Sequence, residues 1–482
     1  MVYQSILLSL VVVSRSLAAS YPETEPPKKE ANPGPIAIQY ELVATRIVQA
    51  TMAGNDAYRK MEELCDGIGN RLSGSKRLER AVHWAADRCK SDGQENVVLE
   101  PVMVPHWVRG RESAILTYPQ RYNLPMLGLG RSVGTPPEGI TAPVISVADK
   151  EELDALGDGV RGAIVLFNYP MPPYDPEKGA GYGDTVRYRT NGARWAAKHG
   201  AVACLVRSVT ATSLRSPHTG AMSYGDARVK IPAAAITVED AEMLTRLNRR
   251  GIRPIVTLKM EAQQLEDNES HNVIAELRGR EKPEEIVVIG GHIDSWDVGQ
   301  GAHDDGAGCV MAMEAINVLR KLDLIPRRTI RVVLWTNEEN GLAGGRAYAK
   351  RHAAELANHV AAIESDSGAF APRGYSVDCA DEHRQAIAAE QMKDILGLLS
   401  SFDSLEATMG GSGADVSPMK ESDVLLMGHR VEGSTYFNYH HTHADTLDKV
   451  DPHWLSANVA VLATVAYVLA DMPMRVGEAA SP

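Results

Sequence analysis

The chain has 482 residues, too many for one simple core, so two folded units are expected. Hydrophobic residues make up 44% and charged residues 23%, an ordinary soluble globular balance. The formal charge of −12 comes with no basic stripe interleaved with aromatics, which argues against nucleic acid as a partner.

Residues 1–20 read as a secretory signal. Ile6 to Val13 form a short apolar run, and Leu17-Ala18-Ala19 supplies small residues for cleavage. The run is too short to cross a bilayer, so no integral membrane span is expected in the mature chain. Export implies a secreted protein, whether extracellular, periplasmic or lysosomal according to the host. Residues 21–37, with Pro22, Pro26, Pro27, Pro33 and Pro35, read as a flexible leader. Cys65, Cys89, Cys204, Cys309 and Cys379 form no Cys-x-x-Cys pair and do not read as zinc ligands. Cys65 and Cys89 are the closest in sequence and the candidate disulfide of an exported chain.

Residues 38–66 carry apolar positions at helical spacing and stop at Gly67 and Gly69. Leu78 to Lys90 reads as a second helix ended by Asp92-Gly93. Val97 to Val104 alternates like a strand. From 113 to 262 short strands (Ser113–Tyr118, Ala163–Asn168, Ala201–Arg207, Pro254–Met260) are broken by Gly and Pro clusters. Helical stretches follow Asp149 and Thr237. This segment reads as a small domain inserted in the main one.

After residue 270 strand and helix alternate. Ile286–Ile289, Thr329–Trp335, Ala361–Glu364 and Asp423–Met427 read as strands. Gly308–Leu322, Gly344–Leu356, His383–Leu399 and Leu455–Asp471 read as helices. The pattern predicts an α/β fold: a mostly parallel sheet with helices on both faces. Ligands of such sheets bind beyond the carboxyl ends of the strands.

The polar residues at those ends carry the chemistry. His292 and Asp294 follow the first strand, Asp304-Asp305 opens the next helix, and Glu338-Glu339 follows the second strand. Glu364-Ser365-Asp366 ends the third, and His440, His441 and His443 cluster before Asp445. Each element alone has a bland reading. His-x-Asp is ordinarily a surface pair, Asp-Asp-Gly a helix cap, and Glu-Glu a solvated loop. In one ordered set they offer enough nitrogen and oxygen to hold two zinc ions around a shared carboxylate. One Glu can then ligate while the other accepts a proton, their pKa values separated by the metal charge. A carboxylate two residues after His292 can hydrogen-bond the second ring nitrogen and fix the tautomer.

The ordered set resembles the zinc aminopeptidase and carboxypeptidase family M28. The resemblance runs from about 38 to 472. It includes Leu64-Cys65-Asp66, Arg71–Lys76, Pro105–Gly110, His271–Glu276, Gly290–Trp296, Thr336–Gly341, Glu364–Gly368 and His440–Thr446. It implies an exopeptidase with two zinc ions per chain, acting on dipeptides or short peptides, as a homodimer. The implied domains are a peptidase unit over 38–112 and 263–475 and an inserted protease-associated-like domain over 113–262. Carried over residue by residue, the resemblance gives one zinc to Asp304, Glu339 and His441 and the other to Asp304, His292 and Asp366. Glu338 becomes the general base, and Asp294 and Asp445 become partners of the ligands. The last His of the family stands four residues before an acid followed by Thr, which selects His441. His440 stands where relatives often carry a Tyr that stabilises an oxyanion. The alternatives are an aminopeptidase of the same family, a single-zinc glutaminyl-cyclase-like acyltransferase, and a non-catalytic binding protein on this scaffold. Related amidohydrolases insert their second domain after the third acid, whereas here the insert precedes His292.

Overall fold

The computed structural model describes residues 34–403 and 405–479. The signal and nearly all of the leader lie outside the described residues. Eight strands form the main sheet: β1 (Glu95–Val104), β2 (Asn268–Leu277), β3 (Lys282–His292), β4 (Arg328–Trp335), β5 (His359–Glu364), β6 (Pro372–Asp378), β7 (Glu406–Met409) and β8 (Leu425–Val431). Their spatial order is β1-β2-β4-β3-β5-β8-β6-β7.

The expected mostly parallel sheet is mixed. β4, β3, β5 and β8 form a parallel centre. β1 and β2 join it antiparallel on one side, and β6 runs antiparallel to β8 on the other. Connection length explains the difference. Parallel neighbours need a crossover of about a dozen residues or more. Only residues 278–281 join β2 to β3, and only 365–371 join β5 to β6. Neither stretch can carry the chain back, so those strands reverse.

The central strands are buried on both faces. Val287 and Ile289 of β3 pack into one core with Leu334, Val310, Ile316 and the helix Pro452–Asp471. Ile286 and Val288 pack into another with Trp335, Tyr348 and Met419. This is the two-residue alternation of a strand covered twice. Pro452–Asp471 is long and apolar enough to cross a membrane, yet here it is a core helix, with 89% of its apolar window buried.

The expected helix over 38–66 is two helices, Pro35–Met52 and Asp56–Cys65, separated at Gly54. The first begins inside the expected leader. Its start has no local capping side chain. Instead Asp394, 358 residues away, accepts the Ile36 N–H at 3.0 Å and also that of Ala37. All five cysteines are free and buried, so the Cys65–Cys89 disulfide is absent. Each thiol fills the core as a small apolar group, and burial pushes Cys65 and Cys89 up to about 12.

The segment 112–260 forms a second eight-stranded sheet. Its first and last long strands, Glu112–Tyr118 and Ile255–Met260, pair antiparallel, so the chain leaves this sheet beside its entry. One helix here, Tyr182–Lys198, was not expected from the sequence. Gly181 precedes it in left-handed backbone with no side-chain cap, and Gly192 interrupts it. Close packing favours Gly192, because a Cβ there would press on the Phe167 ring at 3.0 Å.

Arg71 ties the segments after β3 together. It is fully buried. Its Nε donates to Ile293 O, Nη1 to Gly69 O and Gln300 O, and Nη2 to Gly301 O. Arg71→Met strands those carbonyls without donors and is expected to cost roughly 3 kcal/mol of unfolding free energy. Urea denaturation of the metal-free protein checks this, and a loss below about 1 kcal/mol contradicts it.

Candidate metal centre

The carboxyl ends of the parallel strands converge as the fold requires. His292 is the last residue of β3, Glu338 and Glu339 follow β4, and Asp366 follows β5. Asp304 and His441 arrive on loops. Two close approaches depend on glycine. A Cβ on Gly308 would lie 1.9 Å from Ser365 O, and one on Gly291 would lie 2.2 Å from an Asp305 carboxylate oxygen.

Asp304 sits at the centre. Its Oδ1 is 3.2 Å from His292 Nε2, and its Oδ2 is 3.2 Å from His441 Nε2. Asp366 Oδ1 is 3.4 Å from His292 Nε2, and Glu339 Oε2 is 3.0 Å from His441 Nε2. Each oxygen of one carboxylate therefore faces a different His, and each His faces one further acid. Despite these approaches, neither His292 Nε2 nor Asp304 Oδ2, both buried, makes a well-aligned hydrogen bond among the described residues. Glu338 lines the same cavity, about 520 Å³ in volume, and takes no part in these pairings.

The outer tier differs from expectation. His292 Nδ1 donates to the Asp294 main-chain oxygen at 3.1 Å, while the Asp294 carboxylate is 3.7 Å away. The carboxylate instead accepts the Glu338 N–H at 3.0 Å, the Glu339 N–H and the Ser73 hydroxyl. Asp445 accepts the N–H groups of His303 and Asp304 at 2.7 and 3.2 Å. Asp305 accepts the His292 N–H at 3.0 Å. Three buried acids thus hold the main chain that carries the candidate ligands. The ring nitrogens remote from the candidate metal positions face main-chain carbonyls, which serve a ligating His as well as carboxylates do.

For His441 that carbonyl belongs to the inserted sheet's segment. His441 Nδ1 lies 3.2 Å from Thr219 O, and the Thr219 N–H donates to His441 O at 3.0 Å. The reciprocal pair holds His441 in left-handed backbone, φ 62°, which only external contacts maintain. Arg189 Nη1 lies 3.3 Å from the same Nδ1, and Arg189 Nη2 donates to Tyr182 Oη. Tyr182 stacks on Phe437 at 4.9 Å. These insert residues lay outside sequence reasoning, because none sits in a motif and each acts across more than 200 residues. His440 stacks on His441 at 3.5 Å with its Nε2 3.8 Å from Asp304 Oδ2, and His443 is exposed.

The donor set suits divalent cations. Burial, then the Asp304 charge, pushes Glu339 up to about 7. Burial, with Asp366 and Glu339 beside it, pushes Glu338 well above the carboxylate range. Burial alone would lower His441, but Glu339 and Asp304 outweigh it and raise it to about 9. Cations between these groups would release their protons and relieve the repulsion.

Residues 272–466 match the model of Peptidase family M28. Over 436 residues the chain is 42% identical to carboxypeptidase Q of Mus musculus, covering 90% of each. A crystal structure of a peptidase M28 precursor from Shewanella amazonensis SB2B matches with TM-score 0.86 and 36% identity, covering 91% of this chain and 98% of that one. A zinc aminopeptidase from Bacillus subtilis shares the fold at TM-score 0.63 and 19% identity, over 86% of this chain and 94% of that one. The chain belongs to peptidase family M28. Within it, this is a metallopeptidase of the carboxypeptidase Q type, an exopeptidase.

Protons held by Glu339 near 7 and His441 near 9 must leave before either group ligates. Metal affinity should therefore rise from pH 6 to pH 9 and fall on acidification. Calorimetry at pH 7.5 in two buffers of different ionisation enthalpy should show about one proton or more released on metal loading. Proton uptake, or no linked proton, contradicts the assignment.

Proposed function

We propose that this exopeptidase works with two zinc ions per chain and cleaves dipeptides or short peptides. One ion would be held by Asp304, Glu339 and His441, the other by Asp304, His292 and Asp366. The observation that carries the reading is Asp304, whose two oxygens face two different His rings at 3.2 Å each. His292 Nε2 and Asp304 Oδ2, buried and without a well-aligned hydrogen bond among the described residues, fit a metal ligand set.

Zinc, when bound, supplies Lewis-acid polarisation of the scissile carbonyl and acidifies the attacking water. Glu338 faces the cavity and is the acid left outside the ligand pairs. It takes the proton of the attacking water and passes it to the leaving amine nitrogen. Asp294 keeps both Glu338 and Glu339 in place through their main-chain N–H groups. His440 stacks on the ligand His441 and borders the cavity where an oxyanion would form.

The reading extends to the rest of the chain. The 112–260 sheet corresponds to a protease-associated-like domain over 113–262, supported by its contiguous strands and paired ends. Residues 1–20 direct export, and the mature chain is a secreted homodimer. Sequencing of the mature amino terminus and sedimentation velocity test these two points.

Glu338→Gln should retain both metals and lose on the order of 10²–10⁴-fold in kcat. Loss of a metal in that variant, with both kept in Glu339→Gln, contradicts the roles. His441→Ala should lose one zinc by elemental analysis, whereas His443→Ala should bind metal normally. Equal loss in both would overturn the choice of His441. Replacing 120–253 by a short linker removes the Thr219 carbonyl from His441 and should weaken zinc retention as well as dipeptide selection. A folded deletion variant with unchanged zinc affinity and unchanged preference across a dipeptide panel refutes that role.

A further inference from the structure

Two guanidinium groups line the cavity beside the candidate metal ligands, Arg189 and Arg430. Elsewhere Arg71 is fully engaged by main-chain carbonyls, and three further inward-facing arginines are paired with acids. Arg109 pairs with Asp297, Arg328 with Glu285 and Arg331 with Glu276. Arg189 is buried and occupied: it meets Tyr182 Oη and Thr219 O and lies against His441. Arg430 is different. It is half-buried, and its one hydrogen bond among the described residues is from Nη1 to Thr408 Oγ1 at 3.3 Å. Among the described residues no carboxylate lies within ion-pair reach of it. A guanidinium carries five N–H donors, so most of its fork is left for something in the cavity.

Its position along the sheet is specific. β5 and β8 are paired in parallel, and the last matched pair is Glu364↔Gly428. Asp366 lies two residues beyond that pair on one chain, and Arg430 lies two residues beyond it on the other. Asp366 has left β5 there while Arg430 is still within β8, paired with Gly374 of β6, and both line the cavity. The acids that line the cavity are Asp304, Glu338, Glu339 and Asp366. All four are assigned as ligands or base. The cavity therefore offers no spare acid for a substrate α-amine but does offer a spare cation.

We infer that Arg430 is the residue that binds the free α-carboxylate of the substrate. This rests on the carboxypeptidase-type metallopeptidase reading above and adds the residue that recognises the terminus. In such a substrate the carboxylate carbon lies only about one residue step, ~3.8 Å, from the scissile carbonyl carbon. A carboxylate anchor must therefore share the cavity with the metal ligands, as Arg430 does. Arg matches a carboxylate with two parallel N–H···O bonds, a geometry that Lys lacks. Tyr436 and Phe437 line the same cavity and provide apolar surface for the terminal side chain.

The test uses the zinc-loaded full-length enzyme, a dipeptide it hydrolyses, and that dipeptide's C-terminal amide. The wild type should prefer the free acid. In Arg430→Met the free-acid kcat/KM should fall about 10²-fold more than that of the amide, chiefly through KM, with metal content maintained. Arg430→Lys should recover part of the preference. A preference retained in Arg430→Met, an equal loss on both substrates, or a wild type that favours the amide overturns the inference. Binding of phenylalanine against phenylalaninamide to the zinc-loaded protein provides a second readout independent of turnover. Discrimination in the wild type that vanishes in Arg430→Met supports the anchor, and equal binding of both compounds by the wild type refutes it. A wild type that discriminates in binding yet hydrolyses no peptide would sink the peptidase reading while leaving Arg430 as a carboxylate site.

Discussion

The site depends on one carboxylate being shared. Asp304 must present one oxygen to His292 and the other to His441, and each approach is 3.2 Å. A loop residue cannot do this unless its backbone is fixed. Asp445 fixes it by accepting the N–H groups of His303 and Asp304. Asp305 fixes His292, and Asp294 fixes Glu338 and Glu339, by the same device. His303 adds a further tie: its Nδ1 accepts from Ala369 N–H, and its Nε2 donates to Lys449 O. Burial lowers its pKa to about 4, so this bridge stays neutral. The concentration of buried acids is tolerable because main-chain donors satisfy one tier and cations would neutralise the other.

Much of this was legible in the sequence, for a local reason. Strand ends in a parallel α/β sheet mark where ligands gather, and the apolar runs before His292, Glu338 and Asp366 are strong signals. What stayed hidden was set by distance along the chain. The cap on Pro35–Met52 comes from Asp394, and the ring partner of His441 comes from Thr219. The sheet is mixed because two connections are too short for crossovers, a limit that becomes visible only once β2 and β6 are recognised as strands. Asp294 was read as a ring partner from its offset, but the turn after β3 directs its carboxylate to the next loop instead. Arg430 carries no motif, and only the structure shows that no carboxylate among the described residues lies within ion-pair reach of it.

The insert is more than a wall beside the cleft. Thr219 and His441 exchange two hydrogen bonds, so the second sheet's segment helps set the orientation of a candidate ligand on the first. Tyr182 and Arg189 follow on the helix that the sequence did not announce. The orientation of His441 therefore depends on one short stretch of contact with that segment.

The central claim is that Asp304 bridges two metal ions. Anomalous diffraction at the zinc edge from crystals of the zinc-loaded protein addresses it directly. The account predicts two peaks roughly 3.5–4 Å apart on either side of the Asp304 carboxylate. One should lie against Glu339 and His441, and the other against His292 and Asp366. A single peak, or a peak ligated by His440 or His443 in place of His441, would contradict it.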